Sequence, residues 1–262
     1  MAKVYQTLVL SLVVTVLLGA GLQGCATVPG SGNTLDTNIS SQEVNIRLDL
    51  AESYLNSGEP RRALAELKLI EKRARNQPRF QYDLGLTYLG LKEWEQAAQN
   101  FQKAVKLDPE FAEASVSLGH AYAAMGQLDR AEEAFKYALG ILTYLTPEYA
   151  AYNLALVYSA QGKTERAEEY ARMAIERNWR YTPAYLLLSD TLVAQGKTSE
   201  AIAWLKRGTE ADLENPALLL RLGENLLREG EPEEAKQWFA RVIEISATSK
   251  EAKVARDYLE IL

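Results

Sequence analysis

Two side chains in this 262-residue chain are the sole members of their type, Cys25 and His120. A cysteine thiolate is a strong nucleophile and a soft metal ligand, and a histidine titrates near neutrality and can act as a general base. Each would need company: an orienting carboxylate beside the imidazole, or further Cys and His at metal-ligand spacing. No such motif surrounds either residue, and one cysteine leaves no internal disulfide. His120 therefore reads as a partly exposed polar residue on a helix face. Paired carboxylates, the residue type of acid–base catalysis, recur at Glu132-Glu133, Glu168-Glu169 and Glu231 with Glu233-Glu234. Each pair opens an amphipathic helical stretch, where negative charge complements the helix dipole, so a solvated first turn is the simpler reading. No glycine-rich loop that could cradle a phosphate is present. The expectation is a protein that is not an enzyme, with no cofactor, no metal and no small-molecule substrate.

The composition, 47% apolar and 24% charged, is that of a folded protein. A net charge of −6 argues against nucleic acid, which demands a basic stripe, and against polybasic docking on anionic lipid.

Lys3 is the only charge before residue 36, and an apolar run from Leu8 to Leu18 leads to Gly19, Ala20 and Gly21. Residues 1–24 thus have the outline of a signal peptide. Leu22-Gln23-Gly24-Cys25 resembles the lipobox of bacterial lipoproteins, in which the cysteine is lipidated and becomes the first residue of the mature chain. The alternative is an uncleaved membrane anchor over residues 4–22, about long enough to span. By the same resemblance Ala26, at the place where Asp would retain the protein in the inner membrane, implies the outer membrane, with the folded part in the periplasm. Residues 25–41 then form the lipidated cysteine and a tether rich in Gly, Ser, Thr and Asn. Sixteen such residues reach roughly 20 to 25 Å as a random coil.

From residue 42 a period of 34 organises the chain, with one step of 36 between the third and fourth frames. The frames are 44–77, 78–111, 112–147, 148–181, 182–215 and 216–249, followed by a capping helix over 250–262. The twentieth place of every frame is alanine: Ala63, Ala97, Ala131, Ala167, Ala201 and Ala235. A larger side chain there would force two helices apart at a cost of about 1 to 3 kcal/mol. Gly58, Gly126, Gly162, Gly196 and Gly230 mark turns between helices, with Lys92 as the exception. Asn215 and Thr182 stand before prolines as expected N-caps. With Leu84, Gly85, Tyr88, Phe101 and Leu107-Asp108-Pro109 at their places, the frame resembles the tetratricopeptide repeat. That resemblance implies an all-α, right-handed α-solenoid of six helix-turn-helix repeats, and a capping helix that covers the last exposed face. Departures such as Leu192, Leu226, Ala171 and Gly208 read as volume adjustments.

With places 4, 7, 8 and 11 used for the fold, places 2, 5, 9 and 12 of each first helix form a second stripe. In the family that stripe lines a concave groove. Here it reads Leu48, Glu52 and Leu55; Tyr82, Leu86 and Leu89; Val116, His120 and Ala123; Tyr149, Tyr152 and Leu156. It continues through Leu186, Asp190 and Val193 to Leu220, Glu224 and Leu227. Repeats that clamp a terminal carboxylate use lysine, arginine and asparagine here, and the stripe carries no such clamp. An apolar, aromatic groove with a few acids suits an apolar segment of a partner protein that carries a positive charge. The alternative is that these residues only bury neighbouring helices.

A lipidated cysteine, a tether and repeats without other domains resemble the type IV pilus biogenesis lipoproteins, the pilotin family of the PilF, PilW and Tgl kind. The insertion Thr143-Tyr144-Leu145-Thr146-Pro147-Glu148, followed by Tyr152-Asn153-Leu154-Ala155, adds to that resemblance. It implies a protein that helps an outer-membrane secretin reach its membrane and multimerise. A scaffold lipoprotein for cell-wall hydrolases or polysaccharide export stays open as the alternative.

Overall fold

The computed structural model describes residues 40–262, so the predicted signal sequence, Cys25 and all but the end of the tether lie outside the described residues. Those residues form thirteen α-helices and no strand. They are α1 (Ser41–Asn56), α2 (Pro60–Ala74), α3 (Pro78–Gly90), α4 (Trp94–Leu107), α5 (Ala112–Ala124), α6 (Leu128–Leu139), α7 (Pro147–Ala160), α8 (Thr164–Arg177), α9 (Thr182–Ala194), α10 (Thr198–Ala211), α11 (Pro216–Glu229), α12 (Pro232–Ile245) and α13 (Lys250–Ile261). Odd numbers from α1 to α11 are the first helices of the predicted frames, and even numbers the second. The chain divides into two compact units, residues up to Ala134 and residues from Phe135 onward, with the division inside α6.

In the first unit, α1 contributes Val44, Leu48 and Ala51 to a core completed by Ala63, Leu67, Ile70 and Ala74 of α2 and by Phe80 and Leu84 of α3. Neither helix of a pair buries its apolar face alone, and the next first helix closes what the pair leaves open. All six twentieth-place alanines are fully buried, as the close helix approach requires. The second unit repeats the scheme and ends on α13, whose Ala252 and Ala255 are buried and whose Tyr258 ring stacks on Phe239 at 4.8 Å. Ser249 caps α13 by accepting from the Ala252 N–H at 3.0 Å.

The turns share one geometry. The five predicted glycines have φ between 72° and 87°, and Lys92 adopts φ 63° in their place. The residue after each returns its N–H to the carbonyl of the eleventh place: Glu59 to Tyr54, Glu93 to Tyr88, Gln127 to Tyr122, Lys163 to Tyr158, Lys197 to Leu192 and Glu231 to Leu226. The bond uses backbone only, so leucine replaces tyrosine at 192 and 226 without loss of the turn. Gly208 is also explained: a Cβ there would lie 3.0 Å from the Tyr185 ring and 3.2 Å from Leu218.

Two local expectations are corrected. Asn215 does cap α11, accepting from Ala217 and Leu218. Thr182 does not cap α9: Tyr181 holds that place, and the Thr182 hydroxyl accepts from Asn215 instead. The acidic pairs of the second unit are more than solvated first turns. Glu168 of α8 accepts from Lys197 at 3.0 Å and from Arg172 at 2.8 Å, Arg172 also reaches Glu200 of α10, and Lys206 of α10 meets Glu234 of α12 at 2.8 Å. Burial pushes the Glu168 carboxyl up, but those hydrogen bonds outweigh it and hold it below the usual carboxylate range. Successive second helices are thereby cross-linked by charge.

Candidate protein-binding groove

Each unit places part of the predicted stripe, and neither leaves all of it open. In the first unit Leu48 is 1% exposed and Leu89 and Ala123 are buried, so these three belong to the interior. The reason for Leu48 is the arrival of Phe80 and Leu84 from α3, which close over the fifth place of α1. Glu52 is exposed, Leu55, Leu86 and Val116 are half-buried and offer apolar edges, and His120 is half-buried. Tyr82 lies between Phe101 at 5.7 Å and Phe111 at 4.8 Å, and burial pushes its phenol up to about 12, with a hydrogen bond from Ser117 acting the other way.

Beside Tyr82 stands a charged group that the predicted stripe omitted. Arg79 of α3 donates to Asp49 at 2.6 Å and Glu52 at 2.9 Å, both on α1, and its Nε lies 3.8 Å from Asp83 Oδ2. Asp83 is 3% exposed, and its Oδ2 accepts no hydrogen bond. Burial raises its carboxyl to about 7, with Arg79 pulling the other way and the acids at 52 and 49 adding to the rise. One cation thus faces three acids, of which Asp49 and Glu52 are exposed and Asp83 is buried.

In the second unit Tyr149 and Tyr152 of α7 meet Tyr181 edge-on, at 5.1 and 5.3 Å. Tyr152 is 4% exposed and is a member of the packed interior, not an open anchor; burial pushes its phenol up to about 12. Burial, then the neighbouring tyrosines, also push Tyr181 up, and its hydroxyl has no hydrogen bond. Tyr149, Leu156, Leu186, Val193, Leu220 and Leu227 are half-buried and Asp190 is exposed. Arg221 of α11 pairs with Asp190 of α9 and with Glu224 at 3.1 Å. An open cavity of about 510 Å³ is lined there by Asp190, Val193, Ala194, Arg221, Glu224, Asn225 and Arg228. Among the described residues no group of three or more His, Cys, Asp or Glu is placed to hold a metal.

Family models of the tetratricopeptide repeat match residues 85–126, 117–183, 158–216 and 192–256. The array is built of tetratricopeptide repeats. A comparison with curated proteins gives no match. Among solved structures, PilW, a "widely conserved type IV pilus biogenesis factor", aligns with TM-score 0.68 and 22% identity over 82% of this chain and 99% of its own. PilF of Pseudomonas aeruginosa aligns with TM-score 0.67 and 17% identity over 81% of this chain and 96% of its own. YrrB, "a TPR protein with an unusual peptide-binding site", aligns with TM-score 0.54 and 22% identity over 72% and 96%. These likenesses establish the fold.

The functional candidates absent from the predicted stripe fall at several places of the tetratricopeptide frame. Arg79 is at place 2, Asp83 and Arg221 at place 6, Arg228 at place 13 and Tyr181 at place 34. Places 2, 6, 9 and 13 lie three or four apart and so share one helix face. A stripe drawn through places 6 and 13 would have added Asp83, Arg221 and Arg228, whereas Arg79 stands at place 2 of the stripe already drawn and Tyr181 lies beyond the first helix.

Proposed function

We propose that this chain is a non-enzymatic lipoprotein, anchored in the outer membrane through acylated Cys25, whose tetratricopeptide repeats hold a partner protein and assist localisation and multimerisation of a type IV pilus secretin. The observation that carries the reading is extent: the chain spans 99% of PilW and 96% of PilF in the same fold, and the lipobox-like sequence precedes that region. Half-buried Tyr82, Leu86 and Val116 in the first unit, and Tyr149, Leu156 and Leu186 in the second, supply apolar contact. The exposed Asp49 and Glu52 acids select a segment with a positive charge, and that segment comes from the secretin. A periplasmic scaffold for cell-wall hydrolases or polysaccharide export is the competing role.

The test is capture of the secretin by the full-length protein from detergent extract, beside a count of heat-resistant secretin multimers in cells. Leu86→Asp and Leu156→Asp each weaken capture by about 2 kcal/mol or more and leave helix content unchanged, because both side chains lie off the face that closes a repeat. Tyr152→Asp is unsuitable, since that ring is interior. Normal multimers in a folded, membrane-bound double variant would remove the grooves from the mechanism. Capture of hydrolases or export proteins without secretin would put the scaffold role in its place.

A further inference from the structure

Arg79 of the first unit faces acids of two kinds. Its Nη2 donates to Asp49 at 2.6 Å and to Glu52 at 2.9 Å, two exposed acids three residues apart on α1. Its Nε stands 3.8 Å from Oδ2 of Asp83, one turn further along α3. Asp83 is buried, and among the described residues that oxygen accepts no hydrogen bond. The 3.8 Å pair is an attraction without a hydrogen bond, and a shift of about 1 Å brings it into range for a charge-assisted one. The Arg79 side chain is free to make such a shift, being 43% exposed. Stability does not explain the arrangement. Exposed ion pairs contribute little to a fold, and a buried acid without a hydrogen bond lowers its stability. The charged and titratable groups around Asp83 are Arg79 and Tyr82 on its own helix and Asp49 and Glu52 on α1; Glu113 of α5 faces Tyr82 in turn.

We propose that Arg79 is an internal occupant of the Asp49–Glu52 acid site, and that Asp83 is the seat to which it withdraws when a partner's positive group enters. This rests on the reading above that those two acids receive such a group. An entering cation takes over the carboxylates that Arg79 holds and repels its guanidinium, which then needs a counter-charge. Ionised Asp83 supplies one at 3.8 Å. Protonated Asp83 supplies none, so Arg79 keeps the α1 acids and the site stays closed. Entry of the cation therefore favours loss of the Asp83 proton, and by linkage affinity rises with pH through the range in which Asp83 titrates. Burial places that range near neutrality, at about 7 in the empty site. The acid site is closed below it and opens above it.

The experiment uses the full-length protein in detergent and two pools of fluorescein-labelled heptapeptide amides of leucine, alanine and serine, one with arginine and one with glutamine at the central place. Fluorescence anisotropy reads affinity at pH values of about 6 and about 8. The wild type binds the arginine pool about fivefold more tightly at the higher pH and the glutamine pool equally at both. Asp83→Asn keeps the low-pH affinity at both values. Arg79→Gln, in which the α1 acids stand vacant, keeps the high-pH affinity at both. The amide has the shape of the acid it replaces, so Asp83→Asn retains the fold, checked by circular dichroism, and decides the case by itself. An arginine preference that is equal at the two pH values, or a pH dependence that survives in Asp83→Asn, overturns the proposal and leaves the acid site standing. No arginine preference in any of the three proteins defeats the acid site and its internal occupant together.

Discussion

Gly85→Ala tests how tightly the two helices of a repeat approach. A Cβ at residue 85 would lie 2.6 Å from both Cδ1 and Cε1 of Phe101, far inside van der Waals contact. The ring cannot retreat: Phe101 is fully buried and Tyr82 stands 5.7 Å away. In a helix interior the change from glycine to alanine by itself stabilises by about 1 kcal/mol. Overpacking a closed site costs about 3 kcal/mol at the upper end of its range, leaving a net loss of about 2 kcal/mol. For a chain of this size the loss lowers the melting temperature by about 4 to 8 °C. Urea and thermal unfolding followed by circular dichroism measure it. Phe101→Leu alone costs about 1 kcal/mol through the space it leaves, and in the double variant the new methyl occupies part of that space. The pair should therefore couple, with the double variant about 1 to 2 kcal/mol more stable than the sum of the singles. A Gly85→Ala protein that gains stability, or two changes that simply add, would refute the close approach.

Three further outcomes follow. Among the described residues Lys92 is the one non-glycine in a left-handed turn, so Lys92→Gly should stabilise by about 0.5 kcal/mol after the entropy of glycine is charged against the relieved strain; an unchanged or lower urea midpoint contradicts this. Asp83, raised to about 7 in the fold, keeps its proton where the unfolded chain has lost it. Stability from this group is present below the unfolded carboxylate range and is lost as pH rises toward 7, by at most about 4 kcal/mol. Asp83→Asn should thus gain on the wild type between pH values of about 4 and 8, and a constant difference across that window would show Asp83 already ionised in the fold. Cys25→Ala should release the protein from the outer-membrane fraction with the repeat fold intact, and the intact mass of the wild type should begin at an acylated Cys25; a mass that retains residues 1–24 would reject the anchor.

How much was legible in advance depended on the range of the interaction involved. Helix pairs, their turns and the fully buried alanines of the twentieth place answer to constraints within one repeat, and repetition printed them six times over. Which residues of the candidate stripe stay open was legible only in part. A helical wheel for α1 puts Leu48 beside Glu52, and one for α7 puts Tyr152 beside Leu156, yet Leu48 is closed over from α3 and Tyr152 is packed against Tyr181. A wheel describes one helix, whereas burial depends on what arrives from the next. Charge pairing followed the same rule: Arg79 finds Asp49 and Glu52 on another helix, and Arg221 finds Asp190 likewise. The insertion over 143–148 was visible in the period, but that Tyr144 is buried while Leu142 and Leu145 are exposed was not. Periodicity is a property of covalent order and can be read along the chain. Which face stays open is decided by neighbours brought together only when the repeats stack, because solvent is excluded by contact in space and not by position in sequence.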